Sequence, residues 1–188
     1  MPVRRYRLQD RMISIMVTDK DIRFMQVALE MARSALSKGE FPVGCVIADN
    51  ARVVSRGHRT GTSGGPGNEI DHAEINALRV LNDIEPAVDR STLSIYCTME
   101  PCLMCFSAIL LSGISRIIFA YEDIMGGGTQ SDRSGLAPLY RDTQVTVLSG
   151  VLRQPSLELF RQFFSTSGNT YWADSELCRY TLEQMQSR

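Results

Sequence analysis

Residues 92–113 read TLSIYCTMEPCLMCFSAILLSG, and the reading of this stretch decides the fold. Leu93, Ile95 and Cys97 alternate with other residues, the period of a strand. Pro101 suits the first turn of a helix and Gly113 its end, with an apolar run between them. The stretch is therefore a strand running through a short turn into a helix. Cys102 and Cys105, spaced C-x-x-C, sit at the junction, and two thiols so placed serve a metal, a redox couple or core packing.

The flanking sequence repeats this alternation. Thr18 followed by Asp21 forms a capping box before apolar positions at helical spacing (Ile22, Met25, Ala28, Met31, Ala32, Ala35), and Gly39 ends that helix. VGCVIA (43–48) and RVVSRG (52–57) flank Asp49-Asn50-Ala51 and predict a β-hairpin. A loop rich in Gly, Ser and Pro (58–71) leads into a helical segment starting HAEINAL. SRIIFAY (115–121) and QVTVLSG (144–150) predict two further strands, separated by a loop that contains MGGG (125–128). QPSLELFRQFF (154–164) predicts an amphipathic helix. Strands alternating with helices give an α/β domain with its sheet covered on both faces, and the hairpin makes that sheet mixed. The expected division is an arm over 1–17, one domain over 18–165 and a C-terminal extension over 166–188 packed on it.

Composition narrows the function. The formal net charge of −1 argues against wrapping nucleic acid by bulk electrostatics. No apolar run is long enough to span a membrane, and the basic start is not followed by a signal-peptide core. In that arm Arg4, Arg5, Arg7 and Arg11 read as a solvated terminus, with Met12 or Met16 as alternative starts. The odd cysteine count (Cys45, Cys97, Cys102, Cys105, Cys178) points to a reducing compartment, and so to the cytoplasm. Cys45 and Cys97 lie in apolar strands and read as core.

A redox pair has no use for a distant histidine, whereas a metal does. Of the two histidines, His58 reads as structural or pocket-edge. His72 opens a helix, as the cysteines do, and helix N-termini favour thiolates. One imidazole and two thiolates leave the fourth position of a tetrahedral zinc ion open to water, as in catalytic sites. Glu74 lies two residues on, within reach of such a water without binding the metal.

HAE (72–74) with PCLMC (101–105) resembles the zinc-dependent cytidine and deoxycytidylate deaminase superfamily. FPVGCVI (41–47), LSIYCTMEPCLMC, SRIIFAYED and GVLRQ…LFRQFF match in order the tRNA adenosine deaminases and guanine deaminases of bacteria, over roughly residues 20–165. The resemblance implies a three-layer, cytidine-deaminase-like fold with a five-stranded mixed sheet. It implies one Zn2+ per chain on His72, Cys102 and Cys105, with Glu74 as the proton carrier that converts an exocyclic amine to the oxo form and releases ammonia. Ala73, Val43, Pro101 and Arg59 are the implied substrate contacts, and Glu100 and Asp71 the implied supports. A homodimer is expected.

Two departures bear on substrate. Arg59 stands where the family commonly has an asparagine that positions the base. It reads as a solvated loop residue, with Asn68 as a substitute, or as a ligand for an acidic substrate group. Residues 165–188 carry three acids against two arginines, where the tRNA-acting enzymes tend to carry a basic tail. Tyr171 and Trp172 read as aromatics that pin this tail to the core, or as a cover for the pocket. A small nucleobase or nucleoside is thus the first substrate expected and tRNA the second. A catalytically silent zinc-stabilised binding module is the alternative of another class, and Glu74 speaks against it.

Overall fold

The computed structural model describes residues 17–64, 67–84 and 87–184. The expected arm therefore lies outside the described residues, apart from Val17. The chain forms helix α1 (Asp19–Ser37), the hairpin β1 (Gly44–Ala48) and β2 (Val53–His58), and α2 (Ala73–Ile84). After a 3-10 turn come β3 (Ser94–Met99), α3 (Leu103–Leu111), β4 (Arg116–Tyr121), a short α4 (Pro138–Arg141) and β5 (Thr146–Leu148). Helices α5 (Arg153–Phe164) and α6 (Glu176–Glu183) close the chain.

The strand order is β2-β1-β3-β4-β5. β1 pairs antiparallel with β2 and β3, whereas β4 pairs parallel with β3 and β5, which makes the expected mixed sheet. Because strand side chains alternate, Ile47, Ile95, Cys97, Ile117 and Phe119 join one core cluster with Ala77 of α2 and Ile109 of α3. Val46, Tyr96, Ile118 and Ala120 face the other way, onto Phe24, Met25 and Ala28 of α1. β3 is buried on both faces. β5 is shorter than the 144–150 expected. It is an edge strand that pairs with β4 at three positions, and Thr146 at its start is already exposed.

The capping box of α1 forms, with the Thr18 N–H donating to Asp21 Oδ2 at 2.9 Å and the Asp21 N–H to Thr18 Oγ1 at 3.3 Å. The buried stripe runs through Phe24 and Leu29, while Ile22 turns to solvent. The C-terminal extension docks on the domain. Arg153 pairs with Glu122 and also donates to Gln184 of the extension, while the Tyr180 hydroxyl donates to Glu122 at 2.6 Å. No described helix is long and apolar enough to cross a membrane.

Candidate active site

The register gathers one set of loops at a single end of the sheet. Gly44 faces His58, Cys45 faces Cys97, and Met99 faces Tyr121. The residues just beyond these pairs therefore share one edge: Val43, Arg59, the turn from Glu100 to Cys102, and the loop after Tyr121. The hairpin continues for one more bond, from the Arg59 N–H to the Val43 carbonyl at 2.9 Å. Gly57 lets α2 sit directly on β2, since a Cβ there would lie 2.2 Å from the Ala73 carbonyl oxygen. This close approach brings the start of α2 to the same edge.

His72 precedes α2, and its carbonyl accepts the Asn76 N–H at 2.9 Å. The Asn76 amide in turn donates to the carbonyls of His58 (3.0 Å) and Asp71 (3.3 Å), tying the end of β2 to the start of α2. Cys102 is the N-cap of α3, so Pro101 precedes the helix instead of lying in its first turn, and Cys105 follows on the helix. Both sulfurs lie 3.5 Å from His72 Nδ1, and the three candidate ligand atoms lie within 4.8 Å of one another. A tetrahedral zinc with ordinary Zn–S and Zn–N bonds would hold such a sulfur and nitrogen about 3.6 Å apart. The donor set and its spacing thus fit Zn2+. A hydrogen bond from Cys105 holds the Cys102 thiol down at about 4, with His72 adding to this and burial opposing it. The thiolate that this favours is the form in which cysteine binds zinc.

Glu74 is 2 % exposed and reaches the same cavity. Its Oε2 has no hydrogen-bond partner among the described residues. Burial raises its pKa, against the pull of His72. A carboxyl group held in this way keeps a proton more readily than an exposed one. Beside it, Glu100 accepts from Thr129 Oγ1 and from the Asp123 N–H at 3.3 Å, which secures the loop after β4.

Apolar walls complete the cavity, with Phe41, Val43, Ala73 and Met99 from the domain and Trp172 and Leu177 from the extension. Tyr171 packs its ring on Phe41 and Phe163. Trp172 is half-exposed over the cavity, at a φ of 57° that side chains rarely adopt. The extension is therefore both pinned to the core and a wall of the site.

Arg59 lies on the cavity, and several other expected residues do not. Arg59 is not solvated: it is 2 % exposed, lines the cavity and pairs with Glu69 at 3.0 Å. Asn68 is no substitute for the family asparagine, because its side chain is engaged with Asp71 and the Ile70 N–H outside the cavity. Asp71 faces outward to Arg79. Pro101 is buried but absent from the cavity wall, and its carbonyl accepts the Gly128 N–H at 2.9 Å. His58 lies off the cavity, beside Lys38. Glu69, Asn76 and Asp123 were not foreseen. Asn76, polar and four residues after His72 on the same helix face, was the one with a signal.

A family model described as the cytidine and deoxycytidylate deaminase zinc-binding region matches residues 18–121. The chain belongs to this deaminase family. It is 34% identical over 143 residues to the tRNA-specific adenosine deaminase of Agrobacterium fabrum, spanning 75% of this chain and 91% of that one. A solved structure from work on A-to-I editing by tRNA:A34 deaminases superposes with a TM-score of 0.63 at 32% identity, covering 73% of the deaminase and 98% of the other chain. The guanine deaminase of Nitrosomonas europaea shares the fold, with a TM-score of 0.62 at 22% identity over 76% of this chain and 83% of that one. The deaminase fold and the enzyme class expected from the motifs are thus found, and a catalytically silent module is set aside.

Proposed function

We propose that the deaminase hydrolyses the exocyclic amine of a small nucleobase or nucleoside, with one zinc ion held by His72, Cys102 and Cys105. The observation that carries this reading is Glu74, a buried carboxylate with an unpartnered oxygen beside two sulfurs and an imidazole, on the floor of an apolar cavity. When bound, zinc supplies the Lewis acidity that makes water nucleophilic at neutral pH. Glu74 takes a proton from the attacking water and delivers it to the ring nitrogen. It then carries the second proton to the amino group, the C–N bond breaks and ammonia leaves as the oxo product forms. Ala73 and Val43 flank the ring. Residues 18–165 are the catalytic domain, and 166–188 are an extension whose described part walls the site. Exposed Leu103 and Leu111 on α3 suit a homodimer, and the odd thiol count suits the cytoplasm.

The test is an ammonia-release screen over bases, nucleosides, nucleotides and tRNA. Glu74→Gln is expected to keep one zinc per chain and lose about 10²–10⁴-fold in turnover. Unchanged turnover in that variant would overturn the mechanism.

A second reading, a tRNA adenosine deaminase, is favoured by the names of the relatives. A cavity walled by Trp172 and Leu177 and a net charge of −1 favour the small substrate. Titration with tRNA at two salt concentrations separates them: tight binding at low salt that weakens steeply with salt would establish the RNA reading.

A further inference from the structure

We infer that Arg59 is a specificity-determining residue that selects neutral heterocycles presenting an oxo oxygen on the edge that faces it. The inference deepens the small-substrate reading and rests on it for the reaction, but not for binding.

Three observations lead there. Arg59 leaves β2 opposite Val43 and lines the same cavity as His72 and Glu74, so its guanidinium meets whatever ring lies in that cavity. It is 2 % exposed, yet its hydrogen bonds leave donors over. Nη1 donates to the Thr60 carbonyl at 2.9 Å, and Nη2 donates to Glu69 at 3.0 Å and approaches the Tyr171 hydroxyl at 3.5 Å. A guanidinium has five N–H groups and no acceptor. The N–H on Nε and one on Nη1 have no protein partner among the described residues. A guanidinium that faces the cavity with N–H groups to spare favours a ring edge that accepts from it. An asparagine at this place would donate and accept, and so tolerate an amino group or an oxo group. Arginine only donates, so a second amino group facing it would set donor against donor.

The third observation fixes the charge of the ligand. Glu69 already balances the guanidinium and is itself held by the Tyr171 hydroxyl at 3.0 Å. Glu100 and Asp123 line the same cavity. An anionic ring substituent would meet these carboxylates without a free cation to receive it, so a neutral acceptor fits better than a carboxylate or phosphate.

The experiment measures binding first, by calorimetry on zinc-loaded Glu74→Gln protein. The probes are two pairs that differ by one oxo-to-amino exchange, guanine with 2,6-diaminopurine and cytosine with 2,4-diaminopyrimidine. In at least one pair the oxo member is expected to bind about 100-fold more tightly, within the range seen when a built hydrogen-bonding site meets a mismatched group. Arg59→Gln, added to this protein, is expected to shrink the preference to less than tenfold while zinc content stays at one. Equal binding of the members in both pairs, or no binding of any probe, overturns the inference. Should Arg59→Gln not fold, Glu69→Gln serves in its place, because Glu69 is half-exposed. That variant frees the charge of Arg59, and cytosine-5-carboxylate is expected to gain at least tenfold in affinity; no gain overturns the inference. Failure of the function reading looks different: the oxo members bind, but the unmodified deaminase releases no ammonia from them.

Discussion

Asp21 shows how much one side chain carries. It closes the capping box of α1, and its carboxylate also receives Arg116 (2.8 and 3.0 Å) and the Tyr96 hydroxyl (2.9 Å) from the sheet. Burial works to raise its pKa, but the hydrogen bonds from Arg116 and Thr18 outweigh that and lower it to about 2. The folded value lies below the ordinary carboxylate value, so the contribution to stability is fully present above about pH 4. It is lost as the pH falls through 2. A shift of this size corresponds to about 2 kcal/mol. Asp21→Ala removes the cap and leaves Arg116 without its carboxylate, and is expected to cost about 3 kcal/mol in urea unfolding at pH 7. The loss should shrink towards pH 2, and a loss that stays constant from pH 7 to pH 2 would show that the ion pair contributes nothing. The cap was legible in the sequence because Thr18 and Asp21 are three apart. The ion pair was not, because Arg116 lies 95 residues away and only the β3–β4 register brings it in.

At the scale of elements, the same contrast separates what was legible in the site from what was not. HAE and PCLMC each sit on one strand–helix junction, so their chemistry shows in consecutive residues. Their meeting depends on how closely α2 lies on β2, and that depends on Gly57. A methyl group there would lie 2.2 Å from the Ala73 oxygen and 2.6 Å from the Ala77 nitrogen, both backbone atoms that cannot rotate away. Gly57→Ala must push the first turn of α2 outward and His72 with it. The expected result is a loss of about 2 kcal/mol, in the usual range for overpacking. Zinc content should fall well below one per chain under mild chelation that leaves the parent loaded. Full zinc retention in a destabilised variant would show that the displacement of α2 does not reach His72. The choice between a solvated and a cavity-lining Arg59 stays open in the sequence for the opposite reason: its partner Tyr171 is 112 residues away, and nothing local in GHRT reveals that a distant aromatic covers it.

Across the whole molecule, the residues after α5 form one wall of the cavity. It is anchored at one end by the group of Glu122, Arg153 and Tyr180, and at the other by Tyr171 on Phe41 and Phe163. Between these anchors Trp172 and Leu177 form part of the cavity wall. Two consequences follow from removing residues 166–188. Leu177 and the ring of Tyr171 no longer cover apolar surface, which should cost about 4 kcal/mol and lower the melting temperature by roughly 10 °C for a chain of this size. The cavity also opens to water along one side. A small heterocycle then loses part of its apolar contact in both ground and transition state, so KM should rise by about tenfold or more while kcat changes less. The outcome discriminates between substrate classes, because a wall that confines a base obstructs a folded nucleic acid. If the natural substrate were tRNA, the shortened chain would turn over an anticodon stem-loop at least as well as the full chain. The expectation here is that it acts on tRNA no better than the full chain and acts on the small substrate worse.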